Sequence, residues 1–163
     1  MKVAGFRAFG FSDGRLRSVV HSYQWERGVN HSRPCRAVAP VFSDDPVLVH
    51  PATLCRCGFH AFYDVDNPEL LGYHSVWVKL SGVALAAIVG TGRVVLHETG
   101  WRAEKAEIVA VVATRDQLID NVIRNTYDVP LCQREDVRAL AEKFGILGAN
   151  LNLPTVERQW HAA

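Results

Sequence analysis

Long hydrophobic runs are missing from this chain. The longest weakly polar stretch, 83–89, falls far short of the roughly 20 residues that a helix needs to cross a bilayer, so no membrane-spanning helix is expected. No sustained apolar segment follows Lys2, so a secretory leader is not expected either, and the chain reads as cytoplasmic. An excess of one charge sign is absent as well: 18 Lys and Arg face 17 Asp and Glu, a formal net charge of +1. Such a balance supplies no strong field toward nucleic acid or an anionic membrane, and leaves only a local basic patch for that purpose. Internal repeats and low-complexity segments are lacking. Gly90-Thr91-Gly92 does not continue into Gly-Lys-Ser/Thr and opens no helix, which excludes a phosphate loop. The remaining composition, 48% hydrophobic and 21% charged in 163 residues, is that of an ordinary folded domain with one core.

Cysteine is scarce, with four in the chain, yet its placement is uneven. Cys55 and Cys57 stand with His50 and His60 in the segment HPATLCRCGFH, and Cys35 lies a short loop upstream. Three thiols and an imidazole match the preference of Zn²⁺ for thiolate and neutral imidazole in a four-ligand site. Cys35, His50, Cys55 and Cys57 are therefore the expected zinc ligands, with His60 as the competing fourth. Cys-x-Cys is tighter than the usual Cys-x₂-Cys, so the chain must kink, and Gly58 permits that. Plain packing of the cysteines or a disulfide are the alternatives, and a site lacking Cys35 would keep an open, catalytic-type position. Four protein ligands would make the ion structural. Cys132 stands alone and reads as a packing residue.

The order of elements points to an α+β fold. Val3 to Phe11 is aromatic and strand-like, closed by the turn dipeptide Asp13-Gly14, with Leu16 to Tyr23 as the returning strand. From Trp25 to Pro51 the pattern dissolves into Gly, Asn, Pro and Asp, relieved only by a short strand at 47–49, and so long a loop calls for a tether such as the metal. Asn67-Pro68-Glu69 has the form of an N-cap with proline in the first turn, giving a short helix to Leu71 that stops at Gly72. Strands are expected at 75–80, 84–89, 93–97 and 107–113, the last a buried central strand. Thr114-Arg115-Asp116-Gln117 resembles a capping box. It opens a helix with an apolar stripe of Leu118, Val122, Ile119 and Ile123. A second helix spans Arg134 to Phe144 and stops at Gly145. The sheet should be mixed or mainly antiparallel, with both helices on one face. Residues 1–148 form one domain with a zinc loop at 33–60, and 149–163 a partly ordered tail.

Gly92 to Ala106 gathers Arg93, His97, Glu98, Arg102, Glu104 and Lys105 around Trp101. Adjacent strand residues point to opposite faces, so His97 and Glu98 cannot form a dyad. Glu98 with Arg102, or Arg93 with Glu104, can pair across a turn, as an ion-paired sheet edge. Together with Trp25, the residues Arg93, Glu98, Trp101, Arg102 and Glu104 are the candidate binding surface.

Three groups of residues carry a likeness. Trp25-x-x-Gly28-x-Asn30 and Cys35 are followed by His50-Pro51 with Cys55-x-Cys57-Gly58. Further on stand Gly92-Arg93-Val94-Val95 and Glu98-x-Gly100-Trp101-Arg102-Ala103-Glu104. This combination resembles an uncharacterised family of actinobacterial and actinophage proteins. The resemblance implies that His50 rather than His60 joins the cysteines, and it implies no activity. Phe59-His60-Ala61 departs from the family's pattern.

With a structural metal pattern and no nucleophile or cofactor motif, the expected function is a non-enzymatic binding or regulatory module that engages a protein partner. One alternative is an ADP-ribosyltransferase-like enzyme, from the faint similarity of Cys57 to Tyr63 to a pocket-lining strand, with Glu98 or Glu104 as the acid. The other is a nucleic-acid-binding zinc protein using Arg33, Arg36 and Arg56.

Overall fold

The computed structural model describes residues 1–19, 23–32, 57–72 and 83–148. The strands expected at 47–49 and 75–80 and the tail 149–163 lie outside them. Among the described residues, seven strands form one sheet. They are β1 (Val3–Ser12), β2 (Arg15–Ser18), β3 (Val29–His31), β4 (Phe59–Phe62), β5 (Val83–Leu96), β6 (Gly100–Val112) and β7 (Leu131–Cys132). Helical residues are α1 (68–72), α2 (Gln117–Tyr127) and α3 (Val137–Phe144), the last led in by a 3₁₀ turn at Arg134–Asp136. Every ladder is antiparallel except β6 with β7, as the α+β reading expects.

Local chemistry explains the element ends. Asp13 and Gly14 have φ of 52° and 72°, and two successive positive φ values make the tight hairpin turn whose twist suits β1 and β2. Asn67 Oδ1 accepts from the amides of Glu69 (2.9 Å) and Leu70 (3.4 Å), which is the N-cap expected for α1. The cap of α2 is Asp116, whose carboxylate accepts from Leu118 and Ile119 amides, rather than Thr114, whose hydroxyl instead bonds Asp120. Three strand boundaries differ from expectation, the first being that β6 starts at Gly100 rather than at residue 107. β2 ends at Ser18, and residues 23–25 pair with it from the far side through Ser18 N–H to Tyr23 O and Trp25 N–H to Leu16 O. The glycines at 90–92 do not separate two strands: β5 runs on as one strand, with a bulge between Thr91 and Val94 in which Gly92 takes φ 74°.

The ladder returns on itself. β1 pairs with β5 from Val3↔Gly90 to Gly10↔Val83, and β5 pairs with β6. On its other edge β6 meets β4 over residues 100–103, and β4 reaches β1 through Phe6↔Phe62. The ring β1–β5–β6–β4 is therefore closed, and the register shifts at Ala87/Ile88 and Thr91/Val94 supply the bends that closure requires. Alternation then sorts the side chains. Ala84, Ala86 and Ile88 of β5 join the inner cluster with Trp25, Phe59 and Trp101, while Leu85, Ala87 and Val89 join an outer cluster with Ala4, Phe6 and Ala8.

The two C-terminal helices serve different clusters, contrary to the expectation of one shared face. α3 places Val137 and Ala141 in the outer cluster, and α2 places Ile123 and Tyr127 in the inner one. Within α2 the buried residues are Ile123 and Tyr127, with Ile119 partly buried; Leu118 is 77% exposed. Residues 119, 123 and 127 recur every four positions just as 118 and 122 do. Contact with the sheet, not periodicity, chooses the stripe. Tyr127 Oη accepts from Leu16 N–H at 2.7 Å and donates to Trp25 O at 3.0 Å. The phenol thus completes the Leu16/Trp25 pair, in which the opposite bond, Trp25 N–H to Leu16 O, is direct.

Trp101 fills the ring. Its indole Nε1 donates to Ala4 O at 2.9 Å. A β-carbon on Gly5 would lie 2.6 Å from that nitrogen and 2.8 Å from Phe62 O, and one on Gly90 would lie 2.6 Å from the indole rim. Gly5→Ala should therefore destabilise by about 1–3 kcal/mol in urea unfolding, whereas Gly10→Ala, whose β-carbon meets nothing nearer than 4.0 Å, should stay within roughly 0.5 kcal/mol. Tyr127→Phe strands one buried amide and one buried carbonyl, and is expected to cost about 1–3 kcal/mol in the same measurement.

Candidate functional site

β3 and β4 lie end to end on one edge of β6. His31 pairs with Lys105, the Ser32 amide bonds Glu104 O at 2.8 Å, and Phe59 pairs with Ala103. Ser32 and Phe59 thus stand beside neighbouring residues of β6. The intervening segment, called the excursion from its place in sequence alone, has its two ends held together by the sheet. Of the expected zinc ligands, Cys35, His50 and Cys55 lie within that excursion and outside the described residues. Cys57 is half-buried where the chain returns, and its carbonyl accepts from Arg102 Nη1 at 3.4 Å. Gly58 has φ 106°, a conformation open chiefly to glycine. His60 is exposed on β4 opposite Arg102, and its carbonyl accepts from Arg7 Nη1 at 2.6 Å. Among the described residues no group of three or more His, Cys, Asp or Glu is placed to hold a metal.

Beside this mouth is a buried polar group centred on Arg102, which is 1% exposed. Its Nε donates to His97 Nε2 at 2.9 Å. His97 must accept there, so its proton is on Nδ1 and the ring is neutral. Burial, and secondly the Arg102 charge, hold His97 below the usual imidazole range. Tyr63 follows β4 and its phenol is pushed up to about 12 by burial; the neighbouring His97 backbone pulls the other way but less strongly. The Tyr63 hydroxyl is buried without a well-formed hydrogen bond. This arrangement sets a cation against a neutral imidazole that accepts from it, beside a neutral phenol.

The candidate surface divides. Trp25, Trp101 and Arg102 are 0%, 1% and 1% exposed, so both indoles are core and the surface expected around them is not formed by these three. The strand W-R-A-E alternates, which sends Trp101 and Ala103 inward however many charges flank them. Trp25 packs against Phe9 and Phe59, with centroids at 5.0 and 4.6 Å, and donates through Nε1 to Ser18 Oγ at 3.0 Å. Glu104 meets Arg93 through that residue's backbone amide (3.2 Å), filling the β5 bulge beside Gly92. Arg93 and Glu98 are exposed.

Three residues have structural roles that sequence reasoning did not assign, Asn30 having been named only within the Trp25-x-x-Gly28-x-Asn30 segment. Arg7 links His60 O with Ser18 Oγ (3.1 Å), and its guanidinium lies 5.8 Å from the Trp25 ring centroid. Asn30, 3% exposed, bonds Glu26 N–H, Glu26 O and Gly28 O, and so holds the loop after Trp25. Tyr127 is the third. An arginine inside an aromatic strand and a Gly-x-Asn loop were the available signals.

Because the folded His97 titrates below the unfolded value, the unfolded chain binds more protons between the two. Its contribution is present above the usual value of 6.5 and is lost as pH falls through the lowered folded value. Urea midpoints should accordingly drop from about pH 7 downward, and His97→Gln, which keeps an acceptor for Arg102 and cannot titrate, should flatten that slope. Compared with known protein families, curated proteins and solved structures, the chain matches none, so its function has to be read from its own residues.

Proposed function

We propose that this chain is a non-enzymatic binding or regulatory module. A structural zinc ion on Cys35, His50, Cys55 and Cys57 pins the excursion between Ser32 and Phe59, and the outer surface engages a protein partner. His60 is the alternative to His50. The supporting observation is that the excursion begins and ends beside neighbouring residues of β6. In sequence Cys35 is three residues from Ser32 and Cys57 two from Phe59, a spacing that favours one ion held near both ends. Three thiolates and one imidazole suit Zn²⁺ and leave no open position, which assigns the ion to holding the loop rather than to chemistry. A reducing, cytoplasmic setting keeps such thiols available. Partner contact falls to the exterior because Trp25, Phe59 and Trp101 occupy the interior of the ring.

Elemental analysis of purified native protein is the test. About one zinc per chain is expected, lost in Cys57→Ser, Cys55→Ser and His50→Ala and kept in His60→Ala. Loss of the ion should lower stability by about 3 kcal/mol or more, roughly 10 °C in melting temperature. Absence of zinc from the native protein, or removal of zinc with melting unchanged, would sink the tether.

A further inference from the structure

Beyond the zinc mouth, the helices and β7 enclose a cleft of about 610 Å³, lined by Asp120 and Arg124 of α2, Leu131 and Gln133 at β7, and Asp136 and Lys143 of α3. This is within the size range of ligand pockets and can take a few residues of extended chain. β7 is bonded to β6 on one side only: Val111 N–H reaches Pro130 O (3.0 Å) and Ala113 N–H reaches Cys132 O (2.9 Å). Since successive residues turn their bonding groups to opposite edges, the amide and carbonyl of Leu131 point away from β6. They have no backbone partner among the described residues.

The charges indicate what would lie there. Arg124 and Lys143 are exposed on opposite walls, and neither forms an ion pair among the described residues. The acids have other engagements. Asp120 Oδ1 accepts from the Thr114 amide and hydroxyl, both at 2.8 Å, and Asp136 stands at the start of α3, where the helix's partial positive charge faces it.

We infer that this cleft binds an extended acidic segment of a protein partner, added as a strand beside β7, with its carboxylates meeting Arg124 and Lys143. The inference rests on the binding-module reading and gives that module its docking surface. β7 is short and Pro130 offers no amide, so one residue supplies the backbone pairing and side-chain charge supplies most of the rest. The complex is consequently weak and salt-sensitive.

The probe is the blocked peptide Ac-Val-Glu-Val-Glu-Val-NH₂, titrated into the full-length native ¹⁵N-labelled protein. Two control peptides accompany it, one N-methylated at every residue and one with lysine for glutamate. Saturable shifts are expected at the Leu131, Cys132 and Gln133 amides at about millimolar peptide. Binding should weaken at least about tenfold on N-methylation, which removes the peptide's amide donors. It should weaken similarly with lysine for glutamate, or in the surface variant Arg124→Glu/Lys143→Glu. Absence of saturable shifts, indifference to N-methylation, or preference for the basic peptide would overturn the inference. Failure here leaves the metal result standing, since zinc content and melting temperature are measured without peptide, and absence of zinc leaves the titration interpretable.

Discussion

The contact between the Trp101 indole and the bare backbone at Gly5 and Gly90 is the constraint on which the fold turns. A closed ring of so few strands has little interior, and one indole takes most of the space at this level. Burying a side chain of that size is worth about 4–6 kcal/mol at 25 cal/mol per Å². It is attainable here only because two strands facing the ring carry no β-carbon at the contact. The bond from Nε1 to Ala4 O satisfies the indole's one donor, so the plug carries no buried polar debt. Ala61 and Ala103, the inward neighbours, are small for the same reason.

Closure creates a second problem, since strands that change partners leave backbone groups at the fork. β1 passes from β4 to β2 and β6 from β4 to β3. An arginine stands at each fork. Arg7 donates to His60 O and Ser18 Oγ at the first, and Arg102 to Cys57 O and His97 at the second. A guanidinium suits this place because its five donors lie in one fixed plane and can reach several acceptors at once. Charge that looks functional in sequence is in this way spent on joining strands. Tyr127 does the equivalent work for the β2 ladder from outside the sheet.

These joints also position the proposed sites. β6 holds both ends of the Ser32–Phe59 excursion on one edge, and at its far end it carries β7, whose outer edge opens into the cleft between α2 and α3. A metal-pinned loop and a strand-docking edge would thus be fixed to one rigid strand, the precision that a recognition surface requires.

Features that depend on neighbours in the chain were legible in the residues. Asp13-Gly14 makes its turn, Asn67-Pro68 caps its helix, Gly145 ends α3, and β1 spans almost its expected range, because sterics and caps act over a few residues. The α+β class and mainly antiparallel pairing were legible too, from the succession of periods. Only the tertiary structure decided the rest. Residues 118/122 and 119/123/127 of α2 share one period, and the sheet selects the second set. The glycines at 90–92 read as a break between strands, yet pairing with β6 on both sides carries β5 through them as a bulge. Trp25 and Trp101, flanked by charges, read as surface, but ring closure encloses them. The cysteines suggest a metal by residue type, while the meeting of Ser32 and Phe59 on neighbouring residues of β6 is set by long-range strand pairing. Local sequence specifies turns, caps and periods through short-range sterics; which face is buried and which distant ends meet follows from long-range pairing, which no single segment encodes.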